Sequence, residues 1–225
     1  MRKVNESLGL VVFDWDGTLL DSVASIVDCT QRALKELDQP PVEAQRIRSA
    51  IGLGLREIVE RFAPGCDDAL FHQIVEVYGK HWFATYGNQS VLFPGVPELL
   101  DRLGQKGVLL AVATAKGRRG LEMDLERTGL TGFFHASRTV DEARSKPHPQ
   151  MLLDILKELG MRAGESLMVG DTVHDLQMAG NAGISCVAVA SGTESRLLLA
   201  EQAPLACLEN VGELEAWLSA TGLLA

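Results

Sequence analysis

The chain has 225 residues, 46% of them hydrophobic, and its 21 basic and 30 acidic side chains give a net charge of −9. This length allows one large domain or a domain with an insertion. The acidic balance excludes a typical nucleic-acid binder, which needs a basic surface. No segment resembles a membrane span or a secretory signal, and the four cysteines are scattered. We therefore expect a cytoplasmic protein with reduced thiols that binds neither nucleic acid nor membranes.

The first predicted element is a buried strand that ends in two carboxylates. Residues 8–13 (LGLVVF) are mostly apolar and show no helical period. Asp14 and Asp16 follow at once, and Gly17 allows a tight turn. Ligands of open α/β sheets bind where strands end in this way. Two carboxylates this close repel each other unless a cation holds them or one is protonated. An Asx-type turn explains one of them but not both, so a functional site is favoured.

A helical segment separates this strand from the next one. Apolar residues recur at helical spacing, and prolines and glycines divide the segment into four predicted helices, at about 23–37, 42–50, 56–62 and 67–86. Asp67 is placed to cap the last of these helices. We expect residues 22–88 to form an inserted all-helical domain, with residues 1–21 and 89–225 forming the core.

Strands and helices then alternate through the rest of the predicted core. Buried strands are predicted at residues 107–114, 133–137, 167–170 and 184–190. Helices are predicted at residues 97–104, 117–129, 149–159 and 172–182. This alternation predicts an α/β fold with a doubly wound parallel sheet and helices on both of its faces.

Polar residues that could take part in binding or catalysis follow several of these elements. Thr114 ends the second strand, Lys146 precedes a proline-started helix, and Asp171 ends the fourth strand. Asp175 lies one helical turn beyond Asp171, on the same face. A hydroxyl with free N–H groups can hold phosphate oxygens, and grouped carboxylates can hold a hard cation. Each residue also has an ordinary alternative, because Thr and Asp often cap helices and loop lysines are usually solvated.

Together these residues resemble the motifs of the haloacid dehalogenase superfamily in its phosphatase form. The likeness lies in four segments that follow the family's order, at residues 14–18 (DWDGT), 113–116 (ATAK), 145–149 (SKPHP) and 170–175 (GDTVHD). Asp16 separates the chain from dehalogenases and phosphonate hydrolases, which lack this second carboxylate. The resemblance implies a Rossmann-like core and identifies the helical insertion as a small C1-type cap domain.

The resemblance also implies a Mg²⁺-dependent phosphatase that acts on a small phosphorylated metabolite. In this reading, Asp14 attacks phosphorus and forms an aspartyl-phosphate, while Asp16 protonates the leaving group and then activates water. The implied metal ligands are Asp14, Asp171, Asp175 and the backbone carbonyl of Asp16.

The phosphate itself is expected to lie between the second and third motifs. Thr114 and Lys146 would stabilise its oxygens, and both are assigned catalytic and substrate-binding roles. Gly17 and Ala115 complete the implied phosphate-binding group, although many family members have Asn at the position of Ala115.

Within the superfamily, the likeness is greatest to phosphoglycolate-phosphatase-like members. It rests on Thr114 and Lys116 in the second motif and on the I-G-x-G loop at residues 51–54. Lys116 could meet a substrate carboxylate. Arg56, beside the loop, could be a second anion contact, although a solvated helix arginine explains it equally well.

Two other functions stay open at this point. A sugar phosphomutase of the β-phosphoglucomutase type uses the same four motifs, with a cap that shields the aspartyl-phosphate from water. A non-catalytic binding protein on the same fold is a different class of function. Such a protein would have no need of Asp14 and Asp16, two neighbouring carboxylates that repel each other. We expect a monomer or a homodimer in either case.

Overall fold

The computed structural model describes residues 7–86 and 91–224. Its strands are β1 (Leu10–Phe13), β2 (Leu109–Ala113), β3 (Ala136–Arg138), β4 (Ser166–Gly170), β5 (Ser185–Val189) and β6 (Cys207–Leu208). They form one parallel sheet with the order β3-β2-β1-β4-β5-β6. The predicted α/β class with a doubly wound parallel sheet is therefore confirmed.

Helices flank the sheet and fill the segment after β1. The helices are α1 (Val23–Glu36), α2 (Ala44–Arg48), α3 (Leu55–Phe62), α4 (Asp68–Thr85), α5 (Val96–Gln105), α6 (Arg118–Thr128), α7 (Gln150–Leu159), α8 (Val173–Ala182), α9 (Arg196–Ala200) and α10 (Leu214–Ala220). The first eight match the predicted helices, with ends that differ by a few residues. None of the helices in residues 7–86 and 91–224 has the length and apolar character needed to cross a membrane.

The central strand β1 is buried on both of its faces. Because side chains alternate along a strand, Val11 and Phe13 pack into the hydrophobic cluster that includes α5 and α10. Leu10 and Val12 pack into the cluster on the other face, which includes α7 and α8. This double burial explains the continuous apolar run in the sequence. It also places the end of β1 between the ends of β2 and β4.

The helices α1–α4 share a hydrophobic cluster of their own. One buried member from each helix illustrates it: Val27, Ile47, Val59 and Ile74. Asp67 caps α4 as predicted, because its side chain accepts a hydrogen bond from the N–H of Leu70. The predicted boundary between residues 88 and 89 lies outside the described residues, and the division into two domains stays a prediction.

Candidate active site

The residues that follow β1, β2 and β4 meet at one edge of the sheet. The N–H of Asp14 donates to the carbonyl oxygen of Val169 in β4 at 2.9 Å, so Asp14 continues the strand pairing. Gly17 then turns the chain with a φ of +86°. A Cβ on Gly17 would lie 2.4 Å from Oδ2 of Asp171. Glycine is therefore required here both for the turn and for the approach of the Asp171 side chain.

Three buried carboxylates converge at this edge. Asp14, Asp171 and Asp175 each offer an oxygen, and these oxygens lie within 4.8 Å of one another. Burial, helped by the charge of Asp175, raises the pKa of Asp171 to about 7. Burial and Asp175 also raise the pKa of Asp14 well above its ordinary value. A bound cation relieves such crowding, and carboxylate oxygens are the ligands of hard divalent cations, so the donor set fits Mg²⁺.

Lys146 supplies a positive charge to this acidic cluster. Its Nζ lies 2.6 Å from Oδ1 of Asp14 and 2.6 Å from Oδ1 of Asp175. Burial alone would lower the pKa of Lys146, but the two carboxylates outweigh burial and raise it. The residue is only 1% exposed, so the alternative of a solvated loop lysine does not hold.

Asp171 does not cap a helix, whereas the side chain of Asp175 belongs to the capping box of α8 and accepts a hydrogen bond from the N–H of Thr172 at 3.1 Å. The cap of α8 is Thr172, whose hydroxyl accepts from the N–H of Asp175 and donates to Oδ2 of Asp175. Asp171 instead accepts from the hydroxyl of Thr18 at 2.9 Å and from the N–H of Thr193 at 2.9 Å. These contacts fix Asp171 with its carboxylate in the acidic cluster.

Thr114 also lies outside any helix cap. The helix α6 begins after Gly117, which makes no side-chain cap. Thr114 is buried, and its hydroxyl accepts a hydrogen bond from the N–H of Lys116 at 3.1 Å. The loop between β2 and α6 is thereby held as a compact turn, with Thr114 and Ala115 facing the same cavity as Asp14.

The side chain of Asp16 lies apart from the three-carboxylate cluster. Its Oδ1 accepts a hydrogen bond from the hydroxyl of Ser22 at 2.7 Å. Lys116 donates to both oxygens of Asp16, at 2.8 and 3.0 Å, and its Nζ lies 3.1 Å from Oδ2 of Asp124. Burial alone would lower the pKa of Lys116, but the two carboxylates raise it. Lys116, expected to meet a substrate carboxylate, is thus already held by two carboxylates of the chain.

Sequence reasoning missed Asp124, which lies in α6 and is 1% exposed. Its Oδ2 also accepts a hydrogen bond from Nε1 of Trp15 at 3.1 Å. A signal was available, because Asp124 follows Leu121 by three residues and shares its buried helix face. A carboxylate on such a face needs polar partners. Asp124, Lys116 and Asp16 form a chain of alternating charges.

A cavity of about 520 Å³ lies between the sheet edge and the helices α1–α4. Asp14, Asp16 and Thr114 line it from the sheet side, and mostly apolar residues line it from the helices. The loop at residues 51–54 contacts the sheet side directly, because the N–H of Gly54 donates to Oγ of Ser145 at 3.0 Å. The glycine loop is therefore placed next to the loop that carries Lys146.

Arg56 lies outside this cavity. One of its guanidinium nitrogens is 2.8 Å from Oδ1 of Asp68, and the guanidinium carbon is 4.2 Å from the ring centre of Phe71. The preceding residue, Leu55, lines the cavity instead. Neighbouring residues of a helix point in different directions, so Arg56 faces the solvent side of α3. The structure does not bring Arg56 together with the other predicted site residues.

Fold and site together define an α/β protein with an acidic, lysine-containing site at the end of its central parallel strands. Residues 11–189 match the family model described as haloacid dehalogenase-like hydrolase. The match spans most of the chain, and the chain belongs to this family.

Named relatives and a solved structure agree with this assignment. A protein of Dickeya dadantii (strain 3937) named "Probable phosphatase IndB" is 35% identical over 208 residues, which cover 91% of this chain and 90% of that protein. A phosphoglycolate phosphatase of Pseudomonas syringae pv. syringae (strain B728a) is 33% identical over 212 residues, covering 91% and 78%. The crystal structure of a hydrolase from Pseudomonas syringae has a TM-score of 0.85 at 25% identity, covering 94% of this chain and 98% of that one. The predicted enzyme class, a phosphatase of this family, is confirmed.

Proposed function

We propose that this chain hydrolyses a phosphate monoester of a small metabolite in a Mg²⁺-dependent reaction, with Asp14 as the nucleophile. The position of Asp14 carries the proposal, because its carboxylate belongs to the buried acidic cluster, contacts Lys146 and faces the cavity. The relatives named as phosphatases support the reaction class.

Asp14, Asp171 and Asp175 are the side chains that would hold Mg²⁺, together with the backbone carbonyl of Asp16. When bound, the ion supplies positive charge that offsets the anionic phosphate oxygens and lowers the barrier to attack. Lys146, which contacts both Asp14 and Asp175, adds a second positive charge to the site. It favours the ionised form of Asp14, which the nucleophile needs.

The steps of the reaction then follow from the side chains around Asp14. A carboxylate oxygen of Asp14 bonds to phosphorus while the bond from phosphorus to the ester oxygen breaks. Asp16 gives a proton to the departing ester oxygen, so that the alcohol leaves in neutral form. Asp16 next takes a proton from water, which attacks phosphorus and releases phosphate from Asp14. Ser22 and Lys116 orient Asp16 for both transfers. Thr114 stabilises the phosphoryl oxygens together with Lys146.

We propose that residues 22–88 act as a cap over this site. The hydrophobic cluster of α1–α4 supports a separate unit, and the contact from Gly54 to Ser145 supports its placement over the catalytic loops. A cap of this kind excludes water and contacts the leaving group.

Phosphate release from a panel of metabolite phosphates, measured with Mg²⁺, tests the proposal. The wild type should release phosphate, and Asp14→Asn should lose nearly all turnover while keeping its fold by circular dichroism. Asp21→Asn is the matched control, because Asp21 is exposed in the same loop region. Turnover by Asp14→Asn within about tenfold of the wild type would contradict the nucleophile. Isomerisation of a sugar phosphate without phosphate release would instead favour the mutase alternative.

A further inference from the structure

The cavity wall opposite Asp14 is apolar. The side chains that α1, α2, α3 and the loop between α2 and α3 contribute to it are chiefly aliphatic, namely Ile26, Ile47, Ile51, Leu53, Leu55 and Ile58. Because Asp14 attacks phosphorus in the proposed reaction, the leaving group departs from phosphorus on the side away from Asp14, where it would contact this wall. Aliphatic side chains stabilise apolar groups and offer nothing to a charge.

The helix α4 adds three aromatic rings to the same cavity, those of Tyr78, Trp82 and Phe83. The rings of Tyr78 and Trp82 stack with centroids 6.1 Å apart. Burial, with the nearby charge of Asp16, raises the pKa of Tyr78, so its phenol stays neutral. The ring of Trp82 lies 5.0 Å from Nζ of Lys116, which covers part of this cation.

A negatively charged leaving group would need a cation in this cavity. Among the described residues that line it, the cations are Lys80, Lys116 and Arg119. Lys116 is held by Asp16 and Asp124, and Lys80 pairs with Glu76 at 2.8 Å. Arg119 is exposed, where water and salt weaken its attraction for an anion. A carboxylate in the cavity would therefore face apolar side chains, or the carboxylates that already hold Lys116.

The size of the cavity also argues against a small charged leaving group. A volume of about 520 Å³ lies within the range of pockets that enclose drug-sized ligands. Glycolate, a two-carbon acid, would fill only a small part of it. We infer that the substrate is a phosphate monoester of a neutral, largely apolar alcohol that is bulkier than glycolate. The inference rests on the proposed phosphatase activity and names its leaving group.

A comparison of matched esters tests the charge. Isobutyl phosphate has nearly the shape of phosphoglycolate, with two methyl groups in place of the carboxylate oxygens, and both release an aliphatic alkoxide. We expect kcat/KM to be at least about tenfold higher for isobutyl phosphate, because only its leaving group can be buried without losing hydration of a charge. An equal or higher value for phosphoglycolate would overturn the inference.

A series of straight-chain esters tests the size. Ethyl, n-butyl and n-hexyl phosphate release alcohols of similar acidity, so their intrinsic reactivities are matched. Each methylene buried in the cavity should raise kcat/KM roughly fourfold. A flat series would overturn the inference while leaving the phosphatase proposal intact. No hydrolysis of any phosphate monoester would instead contradict the phosphatase proposal, and the inference with it.

Variants of the wall sharpen the test, although the wild-type comparisons do not depend on them. Val75 lines the cavity on α4, so Val75→Lys should lower kcat/KM for n-butyl phosphate by about tenfold and narrow the gap to phosphoglycolate. Gln73→Lys is the control, since it makes a similar change at an exposed position of α4. Arg119→Ala should leave the preference unchanged. Selective loss of phosphoglycolate turnover in Arg119→Ala would identify its carboxylate contact and overturn the inference.

Discussion

The two walls of the cavity come from different parts of the chain and differ in chemistry. The wall at the sheet edge carries buried charged groups that contact one another, as Lys146 contacts Asp14 and Lys116 contacts Asp16. The wall from α1–α4 is mostly apolar, and it continues a separate hydrophobic cluster. The first wall has the groups that phosphoryl transfer requires from any monoester. The second wall can contact only the leaving group. Under the proposed function, separate stretches of the chain would therefore specify the reaction and the substrate.

Removal of the divalent cation should have the largest effect, because it disables the charged wall as a whole. Without a cation, the crowded carboxylates of Asp14, Asp171 and Asp175 repel an incoming phosphate. We expect EDTA to abolish turnover and added Mg²⁺ to restore it, measured as phosphate release. Asp171→Asn should raise the Mg²⁺ concentration needed for half-maximal activity. Turnover that persists after exhaustive chelation would rule out this role of the acidic cluster.

Loss of the buried lysine should be the next largest effect. Lys146→Met keeps most of the length of the side chain but removes the charge that faces Asp14 and Asp175. We expect kcat to fall roughly 10²- to 10³-fold, the range seen when one preorganised electrostatic group is removed. The control is Lys157→Met, an exposed position on α7, which should leave kcat unchanged. A fall below tenfold in Lys146→Met would show that Lys146 serves the fold rather than the reaction.

The charged wall could be predicted from the sequence because its residues directly follow buried strands. The carboxyl ends of parallel strands meet at one edge of the sheet for any conformation of the loops that follow them. The sequence alone was therefore enough to place Asp14 and Asp171 together. The partners of Asp124 could not be placed in this way. Trp15 is 109 residues away in the chain, and only the packing of α6 against the start of the chain brings the two together.

The apolar wall was harder to predict, since it depends on which face each helix turns inward. Arg56 and Leu55 are neighbours, yet only Leu55 lines the cavity. The last strand of the sheet was not predicted, for another reason. β6 has only two residues, Cys207–Leu208, which is too short to show a period.

Asp124 provides a smaller test of how the charged wall is held. Asp124→Asn keeps an acceptor for Trp15 but removes one of the two charges that hold Lys116. We expect kcat to fall about tenfold through misplacement of Asp16, in line with loss of one charge-assisted contact. Glu122→Gln is the control, because Glu122 is exposed on the same helix. An unchanged kcat, with lower thermal stability alone, would limit Asp124 to a structural role.

The smallest effect is expected at Arg56, which the sequence left open as either a substrate contact or a solvated arginine and which the structure places outside the cavity. Arg56→Ala removes an exposed pair with Asp68, and exposed pairs are worth about 0–1 kcal/mol. Contact with the ring of Phe71 adds a similarly small amount. We therefore expect a slight loss of thermal stability and less than about a twofold change in kcat/KM for both isobutyl phosphate and phosphoglycolate. Asp68→Ala breaks the same pair from the other side and should have the same slight effect on stability. A selective loss of phosphoglycolate turnover in Arg56→Ala alone would mean that α3 turns toward the substrate during the reaction. The helical wall would then present a cation to the substrate, and the contrast between the two walls would fail.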